Sequence, residues 1–326
     1  MNANKVAFII VCWNNEDLVA ECIDSILGQT YSNCKIIFVD NASKDDSVKV
    51  ASSYGGKVKI IQTGSNTGFA KGNNIGIKEA LKDEEVGFIA LLNSDARIDP
   101  EWTSTIVTFA STKPLAGTLQ TMTLDYYDHD IIDSTHIFVS HNGQATQGAW
   151  RNRYEGELGP RKVFGVNAAA CIVTRQFIEA QPFGNEVFDE TMFMYLEDVD
   201  LAMRVTVMGW DNYLVPGARA YHMGSASSGK NPGFSLYMTF RNNAGVIIKN
   251  FPMTLCIKLL LRLPKSDYET FKHLRLLGQK KASWKIYKGR FASLLKLPVY
   301  YMKRRRLNKL RQIDSAYLRY LMVRGF

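Results

Sequence analysis

Residues Phe88–Trp102 read FIALLNSDARIDPEW, and this stretch decides the fold. Phe88, Ile89, Ala90, Leu91 and Leu92 form an apolar run without polar alternation, which describes a strand covered on both faces, as strands of parallel sheets are. The run stops at Asn93-Ser94-Asp95, so a carboxylate is delivered to the strand's C-terminal end, where open α/β sheets bind ligands. Asp99-Pro100 then restarts the chain as a helix, with Asp99 as N-cap and Pro100 in the first turn, where a missing N–H leaves nothing unpaired. Asp95 is therefore expected on a short loop between two rigid elements.

Working outward, the same grammar repeats. Val6–Cys12 is an apolar run followed by Trp13-Asn14-Asn15, and helical spacing runs from Glu16 to Leu27 with Leu18, Cys22, Ile23 and Ile26 on one face. Lys35–Val39 is a second buried strand ending in Asp40-Asn41-Ala42-Ser43, where Ser43 is placed to cap the next helix. Val58–Gln62 is a third strand, and Asn66–Gly76 (NTGFAKGNNIG) is a glycine-rich entry to a helix reaching about Leu81. Strand and helix alternating with short polar links predict a parallel, right-handed αβα sandwich over about the first 110 residues.

The pattern then changes. Thr118–Ser140 alternates apolar and polar residues and Asn142-Gly143 is a turn signal, so an antiparallel hairpin-like insertion is expected. Val166–Val173 reads as a buried strand followed by a short helix from Arg175. Glu197-Asp198-Val199-Asp200 stands in front of a helical LAMRVTVM, ended by Gly209. A short strand Tyr213–Val215, a loop after Tyr221-His222-Met223-Gly224, and a helix from Gly233 to Asn250 complete this part.

Charge divides the chain. The whole carries a formal +9, but Thr254–Phe326 holds 19 Lys/Arg against 3 Asp/Glu, so everything before it is net −7. This places one unit over residues 1–250 and a basic amphipathic helical tail over 251–326. The five cysteines show no paired metal spacing, which points to a reducing cytosol. Neither a signal peptide nor a transmembrane helix is expected, because the apolar block Val6–Trp13 is too short. No HExxH, CxxC pair or Walker A lysine motif is present, and the glycines at 68, 72 and 76 do not make GxGxxG, which removes zinc hydrolysis, P-loop chemistry and dinucleotide binding.

What remains at the strand ends is Asp40, Asp95, the Glu197/Asp198/Asp200 cluster and His222. Carboxylates with one histidine at a sheet edge suit a hard cation such as Mg2+ or Mn2+ beside a phosphate. Each also has an ordinary reading: Asp40 and Asp95 as turn residues, the acidic cluster as a first turn favoured by the helix dipole, His222 as a satisfied loop histidine, Lys230 and Arg241 as solvated charges. Trp13, Phe69 and Trp210 read as core rather than as stacking platforms.

Six segments in order, Val11–Asn15, Phe38–Ser43 (FVDNAS), Asn66–Gly76, Leu91–Trp102, Met194–Arg204 (MYLEDVDLAMR) and Tyr221–Lys230 (YHMGSASSGK), resemble the family 2 glycosyltransferases of GT-A fold, and within them bacterial rhamnosyltransferase-like enzymes of cell-surface polysaccharide assembly. The likeness covers about residues 5–250. It implies a nucleotide-sugar site built from Val11, Trp13, Asn15, Asp40, Asn41, Gly68, Lys71, Asn74, Asn93, Ser94, Asp95, Lys230 and Arg241, with Asp40 accepting from the imide N–H of uracil or thymine. Asn93-Ser94-Asp95 stands where the family has DXD, so Mn2+ or Mg2+ would rest mainly on Asp95, with His222 as the late metal ligand and Asn93 on ribose or phosphate. Asp198 matches the catalytic base, with Glu197 beside it raising its pKa or binding acceptor hydroxyls.

The implied reaction is inverting: a single displacement at the anomeric carbon of a dTDP- or UDP-sugar, with dTDP-rhamnose or a relative as donor, by a hydroxyl of a lipid-linked glycan. The alternative is a non-catalytic nucleotide-sugar-binding or membrane-scaffolding protein that keeps the fold. The tail, with short apolar groups between clusters such as Lys303-Arg304-Arg305-Arg306, reads as helices lying on an anionic membrane at the cytoplasmic face. No nucleic acid is expected, because no recognition motif accompanies the charge. The tail contains no donor-site motif, so its removal is expected to leave nucleotide-sugar binding intact.

Overall fold

The structure is a computed structural model that describes residues 4–156, 158–224 and 232–324. The first half alternates as the sequence predicts: β1 (Lys5–Cys12), α1 (Glu16–Leu27), β2 (Cys34–Asp40), α2 (Ser47–Ser52), β3 (Val58–Gln62), α3 (Gly68–Ala80), β4 (Val86–Leu92), β5 (Ala96–Ile98) and α4 (Trp102–Ser111). The second half comprises β6 (Ala116–Asp125), β7 (Ile132–Ser134), β8 (Ile137–Val139), β9 (Ala145–Gln147), β10 (Arg161–Val163), β11 (Ala170–Thr174), α5 (Arg175–Ala180), α6 (Glu197–Val207), β12 (Asp211–His222) and α7 (Pro232–Asn250). Four more helices follow: α8 (Met253–Leu276), α9 (Lys280–Leu294), α10 (Leu297–Asn308) and α11 (Ser315–Arg324).

The central sheet runs β10-β12-β6-β11-β4-β1-β2-β3, with β5 on β12 and β7 on β6. The β4-β1-β2-β3 half is parallel, while β11 lies antiparallel between β4 and β6. Strand β1 shows why these runs lack alternation: Ala7 and Ile9 join the core on one face, Val6, Phe8 and Ile10 the core on the other. The C-terminal ends of β1 and β2 lie level, Cys12 against Asp40. The edge they form, with the end of β4, carries the polar motifs.

Several local expectations change. Helix α4 starts at Trp102, because Ala96–Ile98 forms a short strand on β12 and the Trp102 N–H is met by the Asp99 carbonyl at 3.0 Å, so Asp99 gives no side-chain cap. Ser43 does not cap α2 either; its hydroxyl accepts from the Asn14 N–H and its own N–H donates to Asp40. On α1 the fully buried position is Val19 rather than Leu18. β6 is a long inner strand rather than part of a hairpin-like insertion, and β12, expected as the short strand Tyr213–Val215, runs on to His222 paired with it in parallel. The Asn142-Gly143 turn does join the antiparallel hairpin β8-β9.

Helices α8, α10 and α11 close the core that Ala7 and Ile9 join. Leu255, Leu259, Leu263, Leu307, Leu318 and Leu321 are buried in the same cluster as α6 and α7. Gly289 allows α9 to meet α7 closely, since a Cβ there would lie 2.5 Å from the Tyr237 carbonyl oxygen. Arg290 spans α8 and α7, paired with Asp267 at 2.7 and 2.8 Å and donating to Asn243 at 3.0 Å. Among the described residues no helix is long and apolar enough to cross a membrane.

Candidate active site

The strand ends open onto a cavity of about 720 Å3. One wall contains Val11, Trp13, Asn41, Gly68 and the whole Asn93-Ser94-Asp95 turn. Trp13 is 39% exposed and faces this space, and Phe69 lines it too while packing on Phe188, so neither is simply core; Trp210 packs on Phe177 as a core residue does. Asn41 organises the glycine-rich entry: its Oδ1 accepts from the Thr67 N–H at 2.8 Å and hydroxyl at 2.9 Å, and its Nδ2 donates to the Gly68 carbonyl at 3.2 Å. Gly68 has φ +81 and a Cβ there would meet Phe193 at 2.5 Å, so only glycine fits this close approach.

Other residues of the implied donor set lie behind this wall or away from it, and none is among the described residues lining the cavity. Asp40 is buried, holding the Ser43 N–H at 3.0 Å, and Asn15 donates to the Ser94 hydroxyl at 3.0 Å. Asn74 pins Phe188 through both its backbone groups, at 2.8 and 2.9 Å. Lys71 is exposed to solvent. The Arg241 guanidinium donates to the carbonyls of Thr191 and Met192, at 3.2 and 2.6 Å, which places it beneath the site rather than on a diphosphate. Lys230 lies outside the described residues.

Asp95 and His222 converge although 127 positions apart, because β5 runs antiparallel to the end of β12. His222 Nε2 lies 3.4 Å from Asp95 Oδ1 and 3.2 Å from Asn93 Nδ2, while Nδ1 meets Asp133 Oδ2 at 2.9 Å. Burial pushes this imidazole down, but the hydrogen bonds to Asp133 and Asp95 outweigh it and hold it up to about 10. Among the described residues no three His, Cys, Asp or Glu side chains form a complete metal site. A carboxylate and an imidazole nitrogen facing one spot in a cavity fit a cation that takes its remaining ligands from phosphate and water, the usual manner of Mg2+. Without a cation both ring nitrogens keep their protons; with Nδ1–H given to Asp133, Nε2 is the nitrogen that would release its proton to a bound cation.

The first turn of α6 lines the same cavity. Leu196, with φ +68, turns the chain sharply so that Glu197 and Asp198 both reach the cavity. Burial, then the charge of Asp198, pushes the Glu197 carboxyl up to about 8, and among the described residues its Oε2 has no hydrogen-bond partner. Burial also raises Asp198, to about 6, opposed by backbone N–H groups that include Val199 at 2.7 Å. The two carboxyls titrate as one coupled dyad, both raised by burial and Glu197 raised the further. Asp200 turns the other way: burial opposes its charge, but Lys249 at 2.8 Å and Arg204 at 3.1 Å hold it below the usual carboxylate range, in the core.

Sequence reading missed Asp133, the loop Phe193–Leu196 as a wall, and the hairpin residues Ile137 and Ala145–Gln147 on the far side. Met194–Leu196 lies inside the recognised segment Met194–Arg204, which the sequence reading uses for its carboxylates alone. Asp133 carries no local signal, being 89 positions from its partner.

A mixed α/β sheet with polar groups gathered at its carboxyl edge is the arrangement in which open α/β folds bind ligands. The Glycosyl transferase family 2 model matches residues 7–178, and the chain belongs to that family. The chain is 28% identical over 221 residues to the N-acetylglucosaminyl-diphospho-decaprenol L-rhamnosyltransferase of Mycobacterium tuberculosis, covering 62% of this chain and 70% of that protein. It is 27% identical to the uncharacterized protein y4gI of Sinorhizobium fredii over 69% of this chain, but spans only 25% of that longer protein. In fold it is similar to residues 1–349 of S. aureus TarS, with a TM-score of 0.53 at 17% identity over 97% of this chain and 91% of that one. The crystal structure of GalNAc-T7 with UDP, GalNAc and Mn2+ gives 0.56 at 14% identity, over 69% and 44%. The GT-A fold is thus the fold of this chain.

Proposed function

We propose that the protein is an inverting, metal-assisted glycosyltransferase that moves a sugar, L-rhamnose or a relative, from a dTDP- or UDP-sugar to a hydroxyl of a lipid-linked glycan. The observation that carries this reading is a single cavity with the Asp95–His222 pair on one wall and the split Glu197/Asp198 dyad on another. The name of the mycobacterial relative supports the sugar and the lipid diphosphate acceptor. The intact dyad favours an enzyme over a non-catalytic binder.

Asp198, the less raised carboxyl of the dyad, accepts the proton of the acceptor hydroxyl as that oxygen attacks the anomeric carbon. Glu197, neutral beside it, is a hydrogen-bond donor available to acceptor oxygens. Asn93, Ser94 and the Asn41-ordered loop orient the nucleotide, and Trp13 offers it a flat face. Asp95 and His222 would hold Mn2+ or Mg2+, which when bound offsets charge on the departing diphosphate.

The acceptor's lipid implies a membrane, and the tail supports one. Phe271, Trp284 and Tyr287 pack ring against ring, with Trp284 and Phe291 largely exposed among Lys272, Arg275, Lys281 and Lys285. Aromatic rings and basic heads sharing one face suit the headgroup layer of an anionic, cytoplasmic leaflet. The test of the donor is a thermal-shift screen of nucleotide sugars with and without Mn2+. Stabilisation by a dTDP- or UDP-sugar that needs Mn2+ is expected; a chain indifferent to every nucleotide sugar overturns the reading.

A further inference from the structure

Between the short turn Glu190–Met192 and helix α6 the backbone follows an unusual path. Phe193 has φ 64 and ψ −65, Tyr195 has φ 70 and Leu196 has φ 68, so three of four consecutive non-glycine residues are left-handed. Phe193 forms the centre of a γ-turn of the rare positive-φ form, closed by the Met194 N–H on the Met192 carbonyl at 2.7 Å. Bulky side chains resist these conformations, which persist only where surroundings over-determine them.

The restraint comes from one buried amide. Asn242 of α7 is fully buried, and its Nδ2 donates to the carbonyls of Met192 at 2.9 Å, Met194 at 3.0 Å and Tyr195 at 2.8 Å. Its two N–H bonds are shared among three carbonyls spread along the left-handed stretch and its entry. Arg241 reinforces the start of the loop, and Lys296 of the tail donates to Thr191 at 2.7 Å. From the other side the Ala70 N–H holds the Phe193 carbonyl at 3.0 Å, tying the loop to the glycine-rich helix entry. The loop's four side chains line the cavity, and the next two residues are Glu197 and Asp198.

We propose that Asn242 is a positioning residue: its amide holds Met192–Leu196 on its left-handed path, and so sets both the acceptor wall of the cavity and the placement of Asp198. The assignment rests on Asp198 as base, but the restraint itself does not.

The experiment compares full-length Asn242→Ala, Leu196→Gly and the double variant with the parent, using Asp198→Asn as control. Removing a buried donor from several carbonyls should raise hydrogen exchange of the 193–198 amides about tenfold to a hundredfold, with the rest of the chain unchanged. The kcat should fall by a similar factor and the acceptor KM rise, while nucleoside diphosphate affinity stays within about threefold, because that wall is built from other elements. Glycine adopts φ near +68 freely, so Leu196→Gly should recover part of the lost rate, or restore folding if Asn242→Ala alone does not fold. Unchanged exchange across 193–198, or a double variant no better than the single one, overturns the proposal. Full activity of Asp198→Asn would instead remove the base assignment and leave the exchange result to judge Asn242.

Discussion

Replacing Glu197 by Gln separates the electrostatics of the dyad from its shape. The carboxyl is 6% exposed and held up at about 8, against an ordinary 4.5, by burial and then by Asp198. Between those two pH values the folded chain keeps a proton that the unfolded chain has released, so stability falls as pH rises through the window. The loss is about 1.4 kcal/mol per pH unit, or about 5 kcal/mol once pH passes 8. Gln does not titrate and escapes this loss. Its amide, however, brings donors to a place where Oε2 already lacks a partner, costing about 1–3 kcal/mol at every pH. Glu197→Gln should therefore be less stable than the parent at pH 5 and more stable at pH 9 by about 2–4 kcal/mol, changing sign between about pH 5.2 and 6.7. Urea unfolding at pH 5, 7 and 9 reads this directly. A difference that stays constant with pH would mean that Glu197 titrates alike in both states, and the account of the dyad would be wrong.

Asp198→Asn should lower transfer by about 10²–10⁴ while donor binding stays within about threefold, since the amide keeps the shape and cannot take a proton; radiolabel transfer and calorimetry check both halves, and transfer within tenfold of the parent would place the base elsewhere. Asp95→Ala and His222→Ala should each remove the Mn2+ dependence of nucleoside diphosphate binding, read by titration calorimetry with Mn2+ and with EDTA; binding by the parent that ignores EDTA would refute the metal site. Changing Lys272, Arg275, Lys281 and Lys285 together to Glu should reduce co-sedimentation with phosphatidylglycerol vesicles by at least about a hundredfold, at about 1 kcal/mol per basic residue, and leave transfer to a soluble acceptor analogue intact. Equal binding to phosphatidylcholine and phosphatidylglycerol by the parent would refute the membrane face.

How much was legible follows from how local each signal is. β1 to β4 were readable because strands buried on both faces are apolar without interruption, and because each ends in polar residues at the same sheet edge. β12 was cut short in the reading because Pro216 and Gly217 interrupt it; the structure absorbs them in a register shift between Val215 and Arg219. In the acidic cluster, residues two apart on a helix lie about 200° apart, so Asp198 and Asp200 cannot share one face. The sequence order shows that much; which of them faces the cavity depends on Lys249 and Arg204, contributed from elsewhere in the fold or one turn on. Arg241 read as a phosphate ligand because a basic residue near a site invites that role, yet the carbonyls it serves belong to a loop 49 and 50 positions away.

The tail shows why a charge count and a structure answer different questions. A net +16 over Thr254–Phe326 treats every basic residue as surface, but several work inward. Arg304 donates to the carbonyls of Ile248 and Phe251, Lys303 bridges Glu186 and Asp189 at 2.5 and 2.8 Å, Arg311 holds the Asn250 carbonyl at 2.8 Å, and Arg290 and Lys296 serve α7 and Thr191. The charge open to solvent is therefore smaller than the sum, and most of it lies on α8 and α9. The same contacts correct the expectation that removing the tail would leave nucleotide-sugar binding untouched. Deletion would strip Leu255, Leu259, Leu263, Leu307, Leu318 and Leu321 from the core that backs α6 and α7, where truncating even one buried leucine to alanine costs about 2–5 kcal/mol. A few such losses exceed the whole stability of a typical domain. Loss of vesicle binding after deletion would therefore report unfolding rather than a missing anchor, whereas charge reversal on the exposed face leaves those leucines in place and isolates the membrane term.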